Sequence, residues 1–118
     1  MFETALEEDE IVTSVNFPLP EAGAYMKFEN PASRYAIVGV FVAKTGGEVR
    51  VGVTGATACA HRGLRLEEAM SGGGELDASG IDAVELPVEQ MNSDIHASAE
   101  YRAHLVKVMT KRAVEACQ

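Results

Sequence analysis

Residues 36–54 read AIVGVFVAKTGGEVRVGVT, and this stretch decides the fold. Its first part, residues 36–43, is apolar on both faces, which is typical of a central strand. Its last part, residues 48–54, alternates valines with other residues, as a half-buried strand does. The TGG at 45–47 joins the two parts through a short loop with glycine, so the stretch predicts a β-hairpin.

Two further strands are predicted before this hairpin. Residues 24–29 (AYMKFE) alternate, which places Ala24, Met26 and Phe28 on one face and Tyr25, Lys27 and Glu29 on the other. Residues 10–17 (EIVTSVNF) alternate in the same way. Their core-facing side chains are expected to be Ile11, Val15 and Phe17, with Val12 on the opposite face. Pro18 and Pro20 end this strand, because proline cannot donate to a sheet ladder.

Helices are predicted after the strands. Leu64–Met70 (LRLEEAM) suits a short helix that stops at Ser71 and Gly72–Gly74, and one or two helical turns are expected around residues 81–85, with a break at Pro87. The best helix begins near Ser98. Its apolar face is predicted to contain Leu105, Val106, Met109, Ala113, Ala116 and Cys117. Strands followed by helices predict an α+β fold, in which helices pack on one face of an antiparallel sheet of three to four strands.

Length and charge limit the possible functions. The chain has 118 residues with 47% hydrophobic content, which predicts a single domain spanning residues 1–118. A formal net charge of −8 argues against nonspecific nucleic-acid binding, and no apolar run approaches a membrane span. The two cysteines, Cys59 and Cys117, are far apart, which excludes a four-thiolate metal site and favours reduced thiols in a cytoplasmic protein.

The segment DIHASAEYRAHLV at 94–106 has the residue types of a hydrolase triad. Asp94, His96 and Ser98 are each two positions apart, too far for direct hydrogen bonds along an extended chain, and no GxSxG elbow surrounds the serine. The favoured interpretation is that Ser98 caps the last helix. The three histidines lack HExxH spacing, and the glycine-rich pieces lack the GK[ST] of a phosphate loop, so no metal or phosphate site is predicted.

One group of outward-facing residues suggests binding. On the two predicted early strands, Val12, Tyr25 and Lys27 stand on the face away from the core. An aliphatic side chain, an aromatic ring and a cation on one sheet face suit a planar anionic ligand. The alternative is that they are ordinary solvated residues of a strand, and the pattern alone favours that alternative.

Four pieces of the chain carry a family resemblance. They are FETALEEDEIVTSVNFPLP (2–20), AYMKFENPASRYAIVGVFV (24–42), GVTGATACAHR (52–62) and SDIHASAEYRAHLVKVMTKRAV (93–114). In this order they are similar to the C-terminal domain of the flavin-binding medium subunit of molybdenum hydroxylases, which include carbon monoxide dehydrogenase and xanthine dehydrogenase. The weakest part of the resemblance is 72–90.

The resemblance implies a place in a multi-subunit oxidoreductase. In such an enzyme a molybdopterin large subunit oxidises the substrate, an iron–sulfur small subunit with [2Fe–2S] clusters passes electrons on, and the medium subunit carries FAD. The FAD-binding domains that precede this domain in the family have no counterpart in these residues. The chain is therefore expected to be the C-terminal part of a longer FAD-binding subunit. By itself it is expected to be inactive and to retain no FAD.

The resemblance also assigns roles to individual residues. Val12 matches the aliphatic position of a DEI-x motif that contacts flavin, and Lys27 matches a strand lysine whose charge favours a reduced, anionic flavin. Tyr25 is expected to lie against the ring, while Tyr35 is expected to pack. Tyr101 and Arg102 are expected to anchor the last helix, with no catalytic residue in the chain. The alternatives are a freestanding oligomerisation module without activity, and the small hydrolase described above.

Overall fold

The computed structural model describes residues 4–70 and 76–117, which form a four-stranded antiparallel sheet and two α-helices. The strands are β1 (Ala22–Glu29), β2 (Ala36–Thr45), β3 (Glu48–Thr54) and β4 (His61–Arg62). The helices are α1 (Leu64–Met70) and α2 (Ala99–Ala116), with 3₁₀ turns at Ile81–Ala83 and Val88–Gln90 between them. The strands lie in the order β1-β2-β3-β4. The α+β class predicted from the sequence is confirmed.

The hairpin of β2 and β3 is the centre of the sheet. Val40 pairs with Val53 and Val42 with Val51, so valines from both strands face the same side and are buried. The turn between them uses positive φ angles of 58° at Gly46 and 83° at Gly47. Such angles are accessible to glycine at little cost, so the TGG sequence specifies this turn.

The helices cover one face of the sheet. Helix α2 packs across β1 and β2, and α1 packs against β3. The helix side chains buried in the core are Leu66, Met70, Leu105, Val106, Met109, Ala113 and Val114. The first four residues of the predicted apolar face of α2 are therefore buried, as predicted: Leu105, Val106, Met109 and Ala113. The prediction is wrong at Ala116, which is exposed in the last turn of the helix, and Cys117 is only half-buried.

The predicted first strand, residues 10–17, is not a strand. Within the described part of the chain these residues pair with no other strand, and Ile11 and Phe17 are 81% and 83% exposed instead of facing the core. Alternation describes only which side chains share a face. A strand also needs a neighbouring backbone to accept and donate its hydrogen bonds, and the sheet of this structure begins only at Ala22.

A short strand that the sequence did not reveal closes the other edge of the sheet. In β4, His61 pairs with Val53 and Arg62 with Gly52. Beyond Arg62 the ladder is only half continued: the Gly63 N–H donates to the Val51 carbonyl at 2.8 Å, whereas the Val51 N–H donates to the Glu67 carboxylate of α1 at 3.0 Å. Arg62 holds this carboxylate through Nε and Nη2. Burial opposes ionisation of Glu67, but the hydrogen bonds from Arg62 and Val51 outweigh it and lower the pKa of the carboxyl.

The described part of the connection between the two helices, residues 76–98, is largely irregular. A 3₁₀ turn at Ile81–Ala83 matches the helical turn expected there, and a second one at Val88–Gln90 follows Pro87 directly. Ser71 and Gly72–Gly74, the predicted stop of α1, lie outside the described residues. None of the helices in the described part of the chain is both long and apolar enough to cross a membrane.

Candidate functional site

The face of the sheet opposite the helices is the candidate functional site, and we refer to it as the open face. Strand residues alternate between the two faces, and those on the open face of β1 are exposed whereas their neighbours pack on the core. The register aligns Tyr25, Phe41, Gly52 and Arg62 in one row across all four strands. A second row aligns Lys27 with Gly39 and Thr54.

Two aromatic residues lie together on the open face. Tyr25 and Phe41 are direct cross-strand partners, and each side chain leans over a glycine of the other strand. A Cβ at Gly39 would lie 2.3 Å from the Tyr25 hydroxyl oxygen, and one at Gly23 would lie 3.2 Å from Phe41 Cζ. Glycine at these positions lets both rings lie close to the sheet, as in other aromatic–glycine cross-strand pairs.

The sheet surface beside this aromatic pair has no side chain at Gly52. A Cβ at Gly52, the next residue in the row after Phe41, would meet no atom within 4 Å. The sheet therefore presents backbone there, with two half-exposed aromatic rings next to it.

Lys27 stands next to the aromatic pair and is held in place by a turn. Its ammonium donates to the Arg34 carbonyl at 2.9 Å and lies 3.4 Å from the Glu29 carboxylate. The turn that presents this carbonyl places Arg34 at a φ of 59°, a left-handed conformation that is uncommon for arginine. Asn30 stabilises the turn by accepting the backbone N–H groups of residues 32 and 33. The lysine charge is therefore fixed at the β1 edge of the open face.

The structure brings together two of the three residues that the sequence pattern selected. Tyr25 and Lys27 share the open face of β1, two positions apart. Val12 is 64% exposed and belongs to the N-terminal segment, residues 4–19, which joins no strand in the described part of the chain. The exposed Tyr35 makes an edge-on ring contact with His96 instead of lying in the row of Tyr25.

Sequence reasoning missed Phe41 and the glycines beneath the rings. Phe41 lies in a strand that is apolar on both faces, so periodicity could not assign it to one of them. The available signal is that Gly39 and Phe41 interrupt the valine run. They are two positions apart, so they lie on the same face of the strand. Register would have been needed to bring them opposite Lys27 and Tyr25.

The last helix is anchored to the sheet through Arg102. This residue is 3% exposed, and its Nη1 donates to the carbonyls of Ile37 at 2.7 Å and Gly55 at 2.9 Å. Its Nη2 donates to Asp94 at 2.7 Å. Tyr101 meets Phe28 of β1 edge-on, with ring centroids 6.1 Å apart. The anchoring role expected for Tyr101 and Arg102 is confirmed.

Residues 94–98 form the entry to α2, and the side chains of Asp94 and Ser98 are engaged in local structure. Asp94 accepts the backbone N–H of His96 at 2.9 Å and of Ala97 at 3.2 Å. The His96 amide is the largest cause of the lowered Asp94 pKa, and Arg102 adds to it. Ser98 is the N-cap, because its hydroxyl accepts the Tyr101 N–H at 3.3 Å. The capping interpretation is confirmed, and the described residues contain no His, Cys, Asp and Glu cluster that fits a metal ion.

The chain is thus an α+β domain in which helices cover one face of a small antiparallel sheet and leave an aromatic and cationic face open. Comparison with known proteins makes that class specific. Residues 23–117 match the model of the CO dehydrogenase flavoprotein C-terminal domain. The chain belongs to this family, as the resemblance implied. Membership of the family does not favour the alternative of a freestanding oligomerisation module.

Relatives of the chain are medium subunits of oxidoreductases. It is 34% identical to the carbon monoxide dehydrogenase medium chain of Afipia carboxidovorans, over 95% of this chain and 42% of that protein. It is 32% identical to the nicotine 6-hydroxylase medium subunit of Paenarthrobacter nicotinovorans, over 94% of this chain and 42% of that protein. The chain thus spans less than half the length of both relatives.

Two solved structures have the same fold. Quinoline 2-oxidoreductase from Pseudomonas putida 86 superposes with a TM-score of 0.65 at 26% identity, over 86% of this chain and 39% of that chain. The Cu,Mo-CO dehydrogenase in its cyanide-inactivated form gives a TM-score of 0.60 at 26% identity, over 85% of this chain and 37% of that chain. The sheet and helices are therefore those of flavoprotein chains in such enzymes.

Proposed function

We propose that this chain is the C-terminal domain of the FAD-binding medium subunit of a carbon monoxide dehydrogenase-like molybdenum hydroxylase, and that its open face covers one side of the FAD isoalloxazine ring. The observation that carries the proposal is the pair of Tyr25 and Phe41 beside the exposed backbone at Gly52, with Lys27 at the edge of the open face. Preceding FAD-binding domains, a molybdopterin large subunit, an iron–sulfur small subunit and a cytoplasmic location belong to the same proposal.

The residues present fit one side of a flavin. Its ring system is planar, and the open face offers two aromatic side chains and, at Gly52, exposed backbone. A reduced flavin gains negative charge, and the Lys27 ammonium is fixed nearby through Arg34 and Glu29. Bound FAD supplies the redox chemistry between the iron–sulfur clusters and an acceptor.

The chain's own residues have two roles in this proposal. Tyr25 and Phe41 exclude water from one side of the ring, and Lys27 presents a fixed positive charge to it. Val12 contributes an aliphatic contact once the N-terminal segment lies over the open face in the whole subunit. The exposure of Val12 and its neighbours in the isolated chain is consistent with a segment that packs against another part of the protein.

A first experiment tests whether the open face is one side of a larger site. FAD is added to the 118-residue chain, excess flavin is removed by desalting, and bound flavin is measured by absorbance. We expect none to remain, because contacts on one side of the ring cannot offset the cost of ordering a dinucleotide. Stoichiometric flavin on the chain alone would contradict the proposal.

A second experiment tests Lys27 in the FAD-loaded subunit. The substitution Lys27→Met should lower the flavin midpoint potential by roughly 30 mV, about 1.4 kcal/mol for a two-electron couple, because a cation beside the ring stabilises its reduced form. The matched control is Lys44→Met on β2, since alternation places Lys44 on the opposite face of the sheet. Equal potentials for Lys27→Met and wild type would overturn the assignment of this lysine.

A further inference from the structure

A cavity lies at the other edge of the sheet from Tyr25 and Lys27. It has a volume of about 460 Å³ and is enclosed by the loop at 57–60, strand β4, the start of α1 and residues 86–91. Strand β1, with Tyr25 and Lys27, is at the opposite end of the sheet order. What this cavity binds is therefore a question separate from the proposed flavin contact.

The charge of the cavity lining is opposite to that of the chain. The protein has a formal net charge of −8, yet the described residues that line the cavity include two arginines and a histidine and no acidic residue. Arg62 is neutralised by its hydrogen bonds to Glu67. Arg65 contributes only one nitrogen, Nη1, to the backbone carbonyl of Glu85 at 2.6 Å. This contact orients a guanidinium that has further N–H groups for an anion.

The histidine is held in a defined orientation. His61 Nδ1 lies 3.0 Å from the Thr57 hydroxyl oxygen and 3.4 Å from the Cys59 carbonyl. These contacts occupy the Nδ1 side of the ring, which leaves Nε2 as the ring nitrogen for a ligand. The Thr57 hydroxyl donates to the Cys59 carbonyl, so the His61 Nδ1–H is the donor in these contacts and Nε2 of this tautomer is an acceptor. Arg65 is therefore the side chain that offers hydrogen-bond donors to an anion in the lining.

Most of the rest of the lining is apolar, although it also includes the polar side chain of Gln90. Leu64, Leu86, Pro87 and Met91 contribute hydrocarbon surface, and Met91 is a flexible side chain that adapts to flat rings. A volume of about 460 Å³ is within the range of small-molecule sites. A ligand that satisfies both parts of the lining has an apolar ring body and one negative charge.

We propose that this cavity is a binding site for an aromatic carboxylate, whose carboxylate pairs with Arg65 and whose ring packs on Leu64, Leu86 and Met91. The proposal stands on the cavity and its lining, and it is independent of whether the open face covers a flavin. Cys59 also lines the cavity and is exposed, which makes it a reporter of occupancy.

Binding is tested by titrating the ¹⁵N-labelled chain with naphthalene-2-carboxylate and following backbone amide shifts. We expect saturable shifts in residues 57–65 and 86–91. The neutral analogue naphthalene-2-methanol should bind at least tenfold more weakly, because it has no charge to pair with Arg65. Equal binding of acid and alcohol, or shifts outside the cavity lining, would overturn the proposal.

Three variants separate recognition from folding. Arg65→Gln should weaken naphthalene-2-carboxylate binding at least tenfold, while Arg112→Gln, at an exposed arginine of α2 that does not line the cavity, should leave it unchanged. Arg65→Lys keeps the charge and should retain more affinity than Arg65→Gln. If all three variants bind as tightly as wild type, the cavity is not the site.

A chemical readout uses the two free cysteines. Naphthalene-2-carboxylate at saturation should slow alkylation of Cys59 by iodoacetamide at least threefold, measured by peptide mass spectrometry. Cys117 is half-buried and does not line the cavity, so its rate serves as the internal reference. Burial raises the pKa of the Cys117 thiol, so it should react slowly and equally with and without the carboxylate. An unprotected Cys59 would contradict the proposal.

Discussion

The Tyr25 hydroxyl lies directly over Gly39 on the neighbouring strand, so close that a Cβ at residue 39 would be 2.3 Å from the hydroxyl oxygen. The ring can occupy this position only because residue 39 has no side chain. Gly39 thereby sets the orientation of an aromatic residue that we assign to the flavin-facing surface. A change at this glycine should alter the open face without altering the core behind it.

The first prediction concerns Gly39→Ala. We expect the free energy of unfolding to fall by about 1 kcal/mol. This is the low end of the usual cost of overpacking, because the half-exposed Tyr25 ring can turn away from the new methyl group. Urea unfolding measures the loss. Gly52→Ala is the control, since a Cβ there meets no atom within 4 Å, and it should change stability by less than about 0.5 kcal/mol. Equal losses for the two variants would contradict this account.

The sheet core and the helices could be predicted because their signals are local. A two-sided apolar run, a glycine turn and a 3.6-residue period each report on their own segment, and β2, β3 and α1 lie where those signals placed them. The strand expected at 10–17 failed because pairing depends on a second backbone, about which alternation contains no information. Strand β4 is too short for any period, and beyond it the Val51 N–H donates to Glu67 from a later helix.

The candidate site was predictable only in part, for the same reason. Alternation within β1 put Tyr25 and Lys27 on one face, and the structure agrees. Phe41 and Gly39 join them through the register between strands, which no property of one strand reveals. The lining of the cavity beside β4 comes from a loop, a strand, a helix and a distant segment, so no local pattern of the sequence indicates it.

The second prediction concerns the anchor of α2. Replacing Arg102 by Met removes a buried guanidinium that donates to two carbonyls and to Asp94, so that these three acceptors lose its hydrogen bonds. We expect unfolding free energy to fall by about 3–5 kcal/mol, measured in urea. The exposed Arg112→Met, on the same helix, should change it by less than about 0.5 kcal/mol. If both variants cost the same, Arg102 is not the anchor.

The third prediction tests the N-terminal segment. The double variant Ile11→Ser with Phe17→Ser should leave thermal and urea stability within about 0.5 kcal/mol of wild type, because both side chains are exposed in the chain alone. Val51→Ala, in the buried face of β3, should cost about 2 kcal/mol in the same assay. A loss from the double variant comparable to that of Val51→Ala would mean that residues 10–17 do pack on the core in solution.

The last prediction concerns pH and Glu67. Its pKa in the folded protein is lowered, so its ionised form stabilises the fold above the ordinary glutamate pKa of about 4.3. That contribution is lost as pH falls through the folded-state value, because the carboxyl must then take up a proton and weaken its contacts with Arg62 and Val51. Glu67→Gln lacks the titrating group, so it should be less stable than wild type at pH 7, and the difference should shrink towards pH 2.5. Urea midpoints across this range measure it, with the exposed Glu68→Gln as the control for a nearby carboxylate. A difference that stays constant or grows on acidification would show that the Glu67 carboxylate is not stabilised by its ionised contacts.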